Sequence, residues 1–83
     1  MASRIIAPKL DSLGKPHDVT DGCNIWETSV AGRMIFTIQS ETHPHLIIQG
    51  LWNPSAISGT EVLTRNNLLR TLKRMENQEA TKA

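Results

Sequence analysis

Few side chains of this 83-residue chain are of types that do chemistry, and two histidines stand closest together. His43 and His45 flank Pro44, and residues at this spacing share a face on an extended chain. Imidazoles bind zinc and copper, but a structural zinc site is normally four-coordinate. No cysteine or carboxylate is positioned in the sequence to complete the set, although folding could bring Cys23 or Glu41 to the pair. The sequence therefore predicts no metal site and no cofactor.

Cys23, the single cysteine, is the other candidate for chemistry. A cysteine becomes a nucleophile when its thiolate is stabilised, with a histidine as the base, but nothing beside Cys23 in sequence does this. A free cysteine more commonly serves as a small buried apolar residue. Paired carboxylates, a phosphate-binding glycine loop and a nucleophile elbow are also missing from the sequence. We predict no catalytic residue and a protein that is not an enzyme.

A basic, asparagine-rich stretch near the C-terminus is the candidate nucleic-acid interface. Arginine and lysine neutralise phosphates, and arginine and asparagine pair with base edges in the major groove. On a helix these side chains share the face opposite the apolar stripe: Asn66, Asn67, Arg70, Lys73 and Arg74. An ordinary solvated helix face has the same composition, so a DNA- or RNA-binding regulator is the alternative function and not the leading one.

The charges are unevenly distributed along the chain. Nine basic and eight acidic residues give a net charge of +1, which is too small for a field that demands nucleic acid. Residues 11–61 carry a net charge of −4, whereas residues 62–83 carry +3. An acidic body favours a basic partner, such as the surface of a protein that handles nucleic acid.

The elements that position these residues begin with strands. Met34, Phe36 and Ile38 alternate with more polar residues, as in a half-buried strand. A preceding strand from Cys23 is predicted to turn through a three-residue loop ending at Gly32, which places Trp26 opposite Phe36. A two-residue loop, which places Glu27 opposite Phe36, is the alternative register. A third strand is predicted over residues 45–52.

Helical periodicity follows the strands. Ser58 and Glu61 match a capping box, and an apolar stripe continues through Leu68, Leu69, Leu72 and Met75. The prediction is one α+β domain over residues 1–83, in which a three-stranded antiparallel meander is followed by a C-terminal helix packed on the sheet. Its parts are an irregular segment (1–22), the meander (23–52), the helix (58–77) and a flexible tail (78–83). The irregular segment supplies candidate further elements, a short edge strand over 4–7 and a helical turn over 9–14.

The second face of the predicted sheet carries more apolar residues than a face open to water should. Ile35, Ile47 and Leu51 all point to it. We predict that this face is covered by residues 1–22 or by a partner, and that the chain forms a homodimer, since most oligomers are symmetric. With the acidic residues Glu27 and Glu41, these three form the predicted partner-binding set.

The leading hypothesis is therefore a small regulatory or inhibitory module that acts by binding another protein. Small accessory proteins of phages and plasmids share this profile. A lone cysteine cannot form an internal disulfide, and the first residues lack the apolar run of a signal peptide, so a cytoplasmic location is expected. The longest apolar runs are too short to span a membrane.

Overall fold

A computed structural model of the chain describes residues 13–55 and 57–82. Four strands, β1 (Asp18–Thr20), β2 (Cys23–Val30), β3 (Arg33–Ser40) and β4 (Ile47–Trp52), precede a helix, α1 (Thr60–Lys82). The strands form one antiparallel sheet in the order β1-β2-β3-β4, and α1 packs on one face of it. The predicted α+β class, meander and packed helix are confirmed. Within the described residues, no helix has the length and apolarity needed to cross a membrane.

The fourth strand comes from the segment that was predicted to be irregular, residues 1–22. Asp18–Thr20 pairs with Cys23–Ile25 through a tight turn at Asp21 and Gly22, both of which have positive φ. Asp21 tolerates this conformation because a short polar side chain can bond to the local backbone. The candidate strand over 4–7 lies outside the described residues, as does all but the end of the candidate helical turn.

The predicted register between β2 and β3 is wrong by one residue. Val30 pairs with Arg33 and Trp26 with Thr37, so that the turn contains only Ala31 and Gly32. Both turn residues have positive φ, 53° and 76°, as a type I′ hairpin turn requires. A shift of one residue moves every side chain to the opposite face of a strand.

The core lies between the sheet and α1. Ile25, Ile38, Ile48 and Leu72 are fully or almost fully buried there, and Phe36 stacks on Trp52 with ring centroids 6.0 Å apart. Trp26, which was predicted to pair with Phe36, lies on the other face because of the register shift. It is buried, and its indole N–H donates to the carbonyl oxygen of Gly14 at 3.0 Å.

The helix differs from the prediction at both ends. The Gly59 carbonyl accepts from the amides of Val62 and Leu63, so Gly59 caps the helix in place of Ser58. At the other end α1 continues past residue 77 to Lys82, through residues predicted to form a flexible tail. Two contacts support this extension: Glu76 bonds to Ser40 at the end of β3, and Glu79 bonds to His45 in the turn that precedes β4.

Candidate interaction surfaces

Exposed apolar side chains gather at one end of the molecule. β4 ends opposite Met34, close to the turn between β2 and β3, and α1 begins after a short connection at this same end. Among the described residues, six large apolar side chains are between 46% and 86% exposed, and all except Val19 lie around this end. Val30 and Leu51 lie on the second sheet face of this end, whereas Ile57, Val62 and Leu63 lie just before or at the start of α1. We call these five together the hairpin-end surface: Val30, Leu51, Ile57, Val62 and Leu63.

The second sheet face is only partly open. Ile35 pairs directly with Leu51, and their side chains form an apolar pair on this face. Leu51 is exposed and Ile35 is half-buried, whereas Ile47 is only 6% exposed. Of the three apolar residues predicted to meet a partner, Ile35 and Leu51 are therefore accessible in the protomer and Ile47 is not.

The two glutamates of the predicted set do not lie together. Glu27 is on the helix-facing side of the sheet, opposite Phe36, with its carboxylate 3.7 Å from the His17 imidazole. Glu41 follows β3 at the opposite end, where its amide donates to the Gly22 carbonyl. Five residues of extended chain separate Phe36 from Glu41, which is about 17 Å. The structure therefore does not bring them into one acidic surface.

A small charged cleft borders the hairpin-end surface between β2 and the start of α1. It has a volume of about 210 Å³ and is lined by His17, Glu27, Phe36, Glu61, Val62 and Arg65. Asp18 lies beside it, with its carboxylate 3.5 Å from the Arg65 guanidinium. The Thr20 hydroxyl donates to this carboxylate and, with the amide of Val19 and the charge of Arg65, holds the pKa of Asp18 below its usual range. The cleft thus combines both signs of charge with an apolar margin.

The polar face of α1 is exposed as predicted for most of its residues. Asn66, Asn67, Arg70 and Arg74 are exposed, but Lys73 is half-buried and its ammonium lies 3.5 Å from the Glu76 carboxylate. Asp21 shares a small pocket with three of this set, Asn66, Arg70 and Lys73. Neighbouring carboxylates therefore offset part of the positive charge that a phosphate backbone would meet.

The opposite end of the molecule holds a polar network that sequence reasoning missed. The buried Ser40 hydroxyl donates to the Glu76 carboxylate, and the Thr42 hydroxyl lies 3.4 Å from the same oxygen. Thr42 also bonds to the imidazole of His43 at 2.9 Å, and the amide of His43 donates to Ser40. The burial of Ser40 could have been predicted from the sequence, because Ser40 continues the alternation of Phe36 and Ile38 on the buried face of β3. No such signal exists for Glu76, because its partner is 36 residues away in sequence.

The two histidines have separate partners in this network. His45 bonds to the Glu79 carboxylate at 2.9 Å, and His43 bonds to Thr42. Their rings meet edge to face, with centroids 6.0 Å apart. In the described part of the chain, no group of three or more potential ligands is placed to hold a metal ion. The bond from His45 to Glu79 attaches α1 to the turn before β4, whereas the bond of His43 to Thr42 stays within that turn.

Cys23 lies in the core at the same end. Its side chain is fully buried, and burial raises the pKa of the thiol, which disfavours the reactive thiolate. The side chain packs with the apolar residues between the sheet and α1. This is the environment of a structural cysteine.

Comparison of the chain with models of known protein families, with curated proteins and with solved structures finds no match.

Proposed function

We propose that the protein is a small regulatory or inhibitory module, without catalytic activity, that binds another protein through the hairpin-end surface. The observation that carries this proposal is the clustering of exposed apolar side chains. Five of the six large ones in the described residues lie at one end. Scattered apolar residues are normal on protein surfaces, but a concentration of them marks an interaction site.

The exposed positions are not explained by the fold. Ile57, which precedes α1, is 86% exposed, and Leu63, on the polar side of α1, is 65% exposed. Neither side chain therefore contributes to the core. Transfer of apolar surface from water contributes roughly 25 cal/mol per Å². A partner that covered these side chains would gain a stabilisation that folding alone leaves unused.

The surroundings of this surface also fit an interface. Protein interfaces commonly have an apolar centre and a polar rim. Here the charged cleft, with Glu27, Glu61 and Arg65, supplies such a rim on one side. We propose a partner with a basic patch, consistent with the net charge of −4 on residues 11–61 and with a protein that handles nucleic acid.

The test is partner capture with matched variants. Tagged protein is used to recover partners from a cell lysate with and without nuclease, and the recovered protein is then purified and titrated directly. The Ile57→Glu/Leu63→Glu variant should lose the partner. The Val19→Glu variant changes a 57% exposed apolar residue away from this end and should retain it. Equal binding by the two variants would contradict the proposal.

The electrostatic part has its own pair of variants. Glu27→Lys should weaken binding of a basic partner, because Glu27 borders the hairpin-end surface. Glu41→Lys makes the same change of charge at the other end and should have a much smaller effect. If both variants bind as the unchanged protein does, charge attraction through Glu27 does not contribute.

A DNA- or RNA-binding regulator remains the second candidate function. The observation that favours it is the exposure of Asn66, Asn67, Arg70 and Arg74 along one face of α1. A helix with this face can lie in a major groove, where arginine reads guanine and asparagine reads adenine. Nucleic-acid binding is the weaker candidate, because the net charge is low and the carboxylate of Asp21 lies near this face.

Salt dependence tests this second candidate. If α1 binds nucleic acid, affinity should fall by about one power of salt concentration for each phosphate contact. The Arg70→Ala/Arg74→Ala variant should then have a smaller salt slope, whereas Arg33→Ala, at the β2–β3 hairpin, should not. A flat salt response would exclude binding of this kind.

A further inference from the structure

β4 is an edge strand of the sheet that the described residues form. The strand order leaves β1 and β4 at the two edges. β1 has only three residues, and its Asp18 forms an ion pair with Arg65. A short strand and a charged side chain both protect a sheet edge from pairing with another strand. β4 has six residues, Ile-Ile-Gln-Gly-Leu-Trp, without a charge or a proline. Among the described residues, no strand pairs with its outer side.

The register shows which backbone groups of β4 face outward. The Ser40 amide donates to the Leu46 carbonyl at 3.1 Å, which makes this a hydrogen-bonded pair. Such pairs alternate along an antiparallel ladder, so Ile48 and Gly50 also bond to β3. The N–H and C=O groups of Ile47, Gln49 and Leu51 therefore point away from β3, towards the outer edge of the sheet.

We propose that β4 pairs with β4 of a second copy of the chain, antiparallel and centred on Gln49. This two-fold arrangement extends the two four-stranded sheets into one continuous sheet. Gln49 lies opposite Gln49 of the second copy, and Ile47 lies opposite Leu51. The outward backbone groups of both strands are then satisfied.

The self-complementary sequence of β4 is the reason for choosing a second copy as the occupant. A two-fold axis at Gln49 places Ile47 of each copy opposite Leu51 of the other, so that each apolar residue meets an apolar residue. β4 carries no charge, and no like charges are brought together along the paired strands. A partner strand with charged side chains would leave Leu51 unpaired.

The helix is also compatible with this arrangement. Asn66 and Lys73 line the pocket with Asp21, and Val62 and Arg65 line the cleft with Glu27, so this side of α1 faces β1 and β2. At 100° per residue, the side towards the outer edge of β4 carries Thr64, Thr71 and Gln78, followed by Lys82 in the last turn. Over residues 64–78 this line is neutral, so that part of the helix brings no like charges together across the axis.

The first experiment measures the molecular mass in solution by light scattering. The unchanged protein should be a dimer. Gln49→Pro removes the central outward N–H, which β3 does not use, and should produce a folded monomer. Gln49→Ala keeps that N–H but also loses the side-chain bond to Thr37, so it is the matched control and should remain a dimer. A monomeric unchanged protein, or a dimer that persists in Gln49→Pro, overturns the proposal.

The second experiment fixes the register and does not depend on the fold of the proline variant. The Gln49→Cys variant places two thiols opposite each other at about 5.5 Å between Cα atoms, which suits a disulfide. It should form a covalent dimer on mild oxidation. In Leu51→Cys the two thiols are about 14 Å apart and should not link. Cys23 is fully buried and gives little background. Efficient linkage of Leu51→Cys without linkage of Gln49→Cys refutes this register.

This inference does not depend on the proposed partner. Only Leu51 of the hairpin-end surface belongs to the β4 edge, and the partner-binding test changes Ile57 and Leu63. A Gln49→Pro monomer that still binds the partner supports the dimer and the partner site separately. An Ile57→Glu/Leu63→Glu variant that remains a dimer but no longer binds the partner also shows that the two sites are separate.

Discussion

Glu76 is the side chain that attaches the second half of α1 to the sheet. Its side chain is 12% exposed, accepts from the Ser40 hydroxyl and lies 3.5 Å from the Lys73 ammonium. Partial burial raises the pKa of the carboxyl, but the Ser40 hydrogen bond and the Lys73 charge outweigh it and hold the pKa below the ordinary value of 4.5. The ionised form therefore stabilises the folded protein.

The lowered pKa of Glu76 predicts how stability changes in acid. The stabilisation is fully present above pH 4.5, which is the pKa of the Glu76 carboxyl in the unfolded chain. It is lost as the pH falls through the lower pKa that this carboxyl has in the folded protein. Glu76→Gln should reduce the unfolding free energy at neutral pH by about 1–2 kcal/mol. It should also flatten the loss of stability below pH 4.5. Urea unfolding at a series of pH values measures both effects.

Glu79→Gln is the matched control for this prediction. Glu79 lies on the same helix and also bonds to the turn before β4, but its side chain is 42% exposed. Exposed ion pairs contribute about 0–1 kcal/mol, so the change should be smaller than for Glu76. An equal loss from the two substitutions would show that the burial of Glu76 is not what matters.

At the scale of elements, the turn between β2 and β3 carries a local strain. Ala31 has a φ of 53°, in the left-handed region where a Cβ atom is unfavourable. Glycine adopts this conformation freely. Ala31→Gly should therefore stabilise the protein by about 0.5–1 kcal/mol in thermal or urea unfolding, after the greater freedom of glycine in the unfolded chain is subtracted. Gly32→Ala, at φ 76°, should act in the opposite direction. Destabilisation by Ala31→Gly would argue against this turn.

The same turn shows what the sequence could and could not predict. Alternation in β3 and the apolar stripe of α1 were enough to predict the meander and the packed helix. The two-residue turn lacks the usual Asn-Gly or Asp-Gly signal. The pairing of Trp26 with Phe36 favoured a three-residue loop, because a two-residue turn places Glu27 opposite Phe36. The error of one residue then moved Trp26 to the wrong face.

The polar network could not be predicted for a different reason. Ser40 and Glu76 are 36 residues apart, and His45 and Glu79 are 34 apart. Only the packing of α1 on the sheet brings them together. Helix propensity and capping rules describe local interactions, so they favoured fraying after residue 77. Tertiary bonds to Glu76 and Glu79 support the helix through this region.

Gly50 determines how closely α1 approaches β4. A Cβ atom at this position would lie 2.7 Å from a methyl carbon of Leu68. Gly50→Ala should therefore push the helix outward or force Leu68 into another rotamer, at a cost of about 1–3 kcal/mol. The double variant Gly50→Ala/Leu68→Ala should lose less than the sum of the two single changes. Additive losses in the unfolding free energy would show that the two residues do not compete for this space.

For the whole molecule, the structure separates the residues that hold the fold from those available to a partner. The core residues lie between the sheet and α1, whereas the hairpin-end surface lies around one end and packs little against them. Stability and binding should therefore respond to different substitutions. This separation is what a small binding module requires, since its interface must stay open without weakening a small core.

The last prediction compares the two sets directly. Ile57→Glu/Leu63→Glu should change the unfolding free energy by no more than about 0.5 kcal/mol per position, because both side chains are exposed. Leu72→Ala should cost about 2–5 kcal/mol, because Leu72 is fully buried in the core. Urea unfolding measures both, and the capture experiment measures binding on the same samples. Because charge replaces apolar surface only at the hairpin end, lost binding at unchanged stability would identify that end as the interface. A large loss of stability in the double glutamate variant would mean that these side chains support the fold, and the case for an interface there would fail.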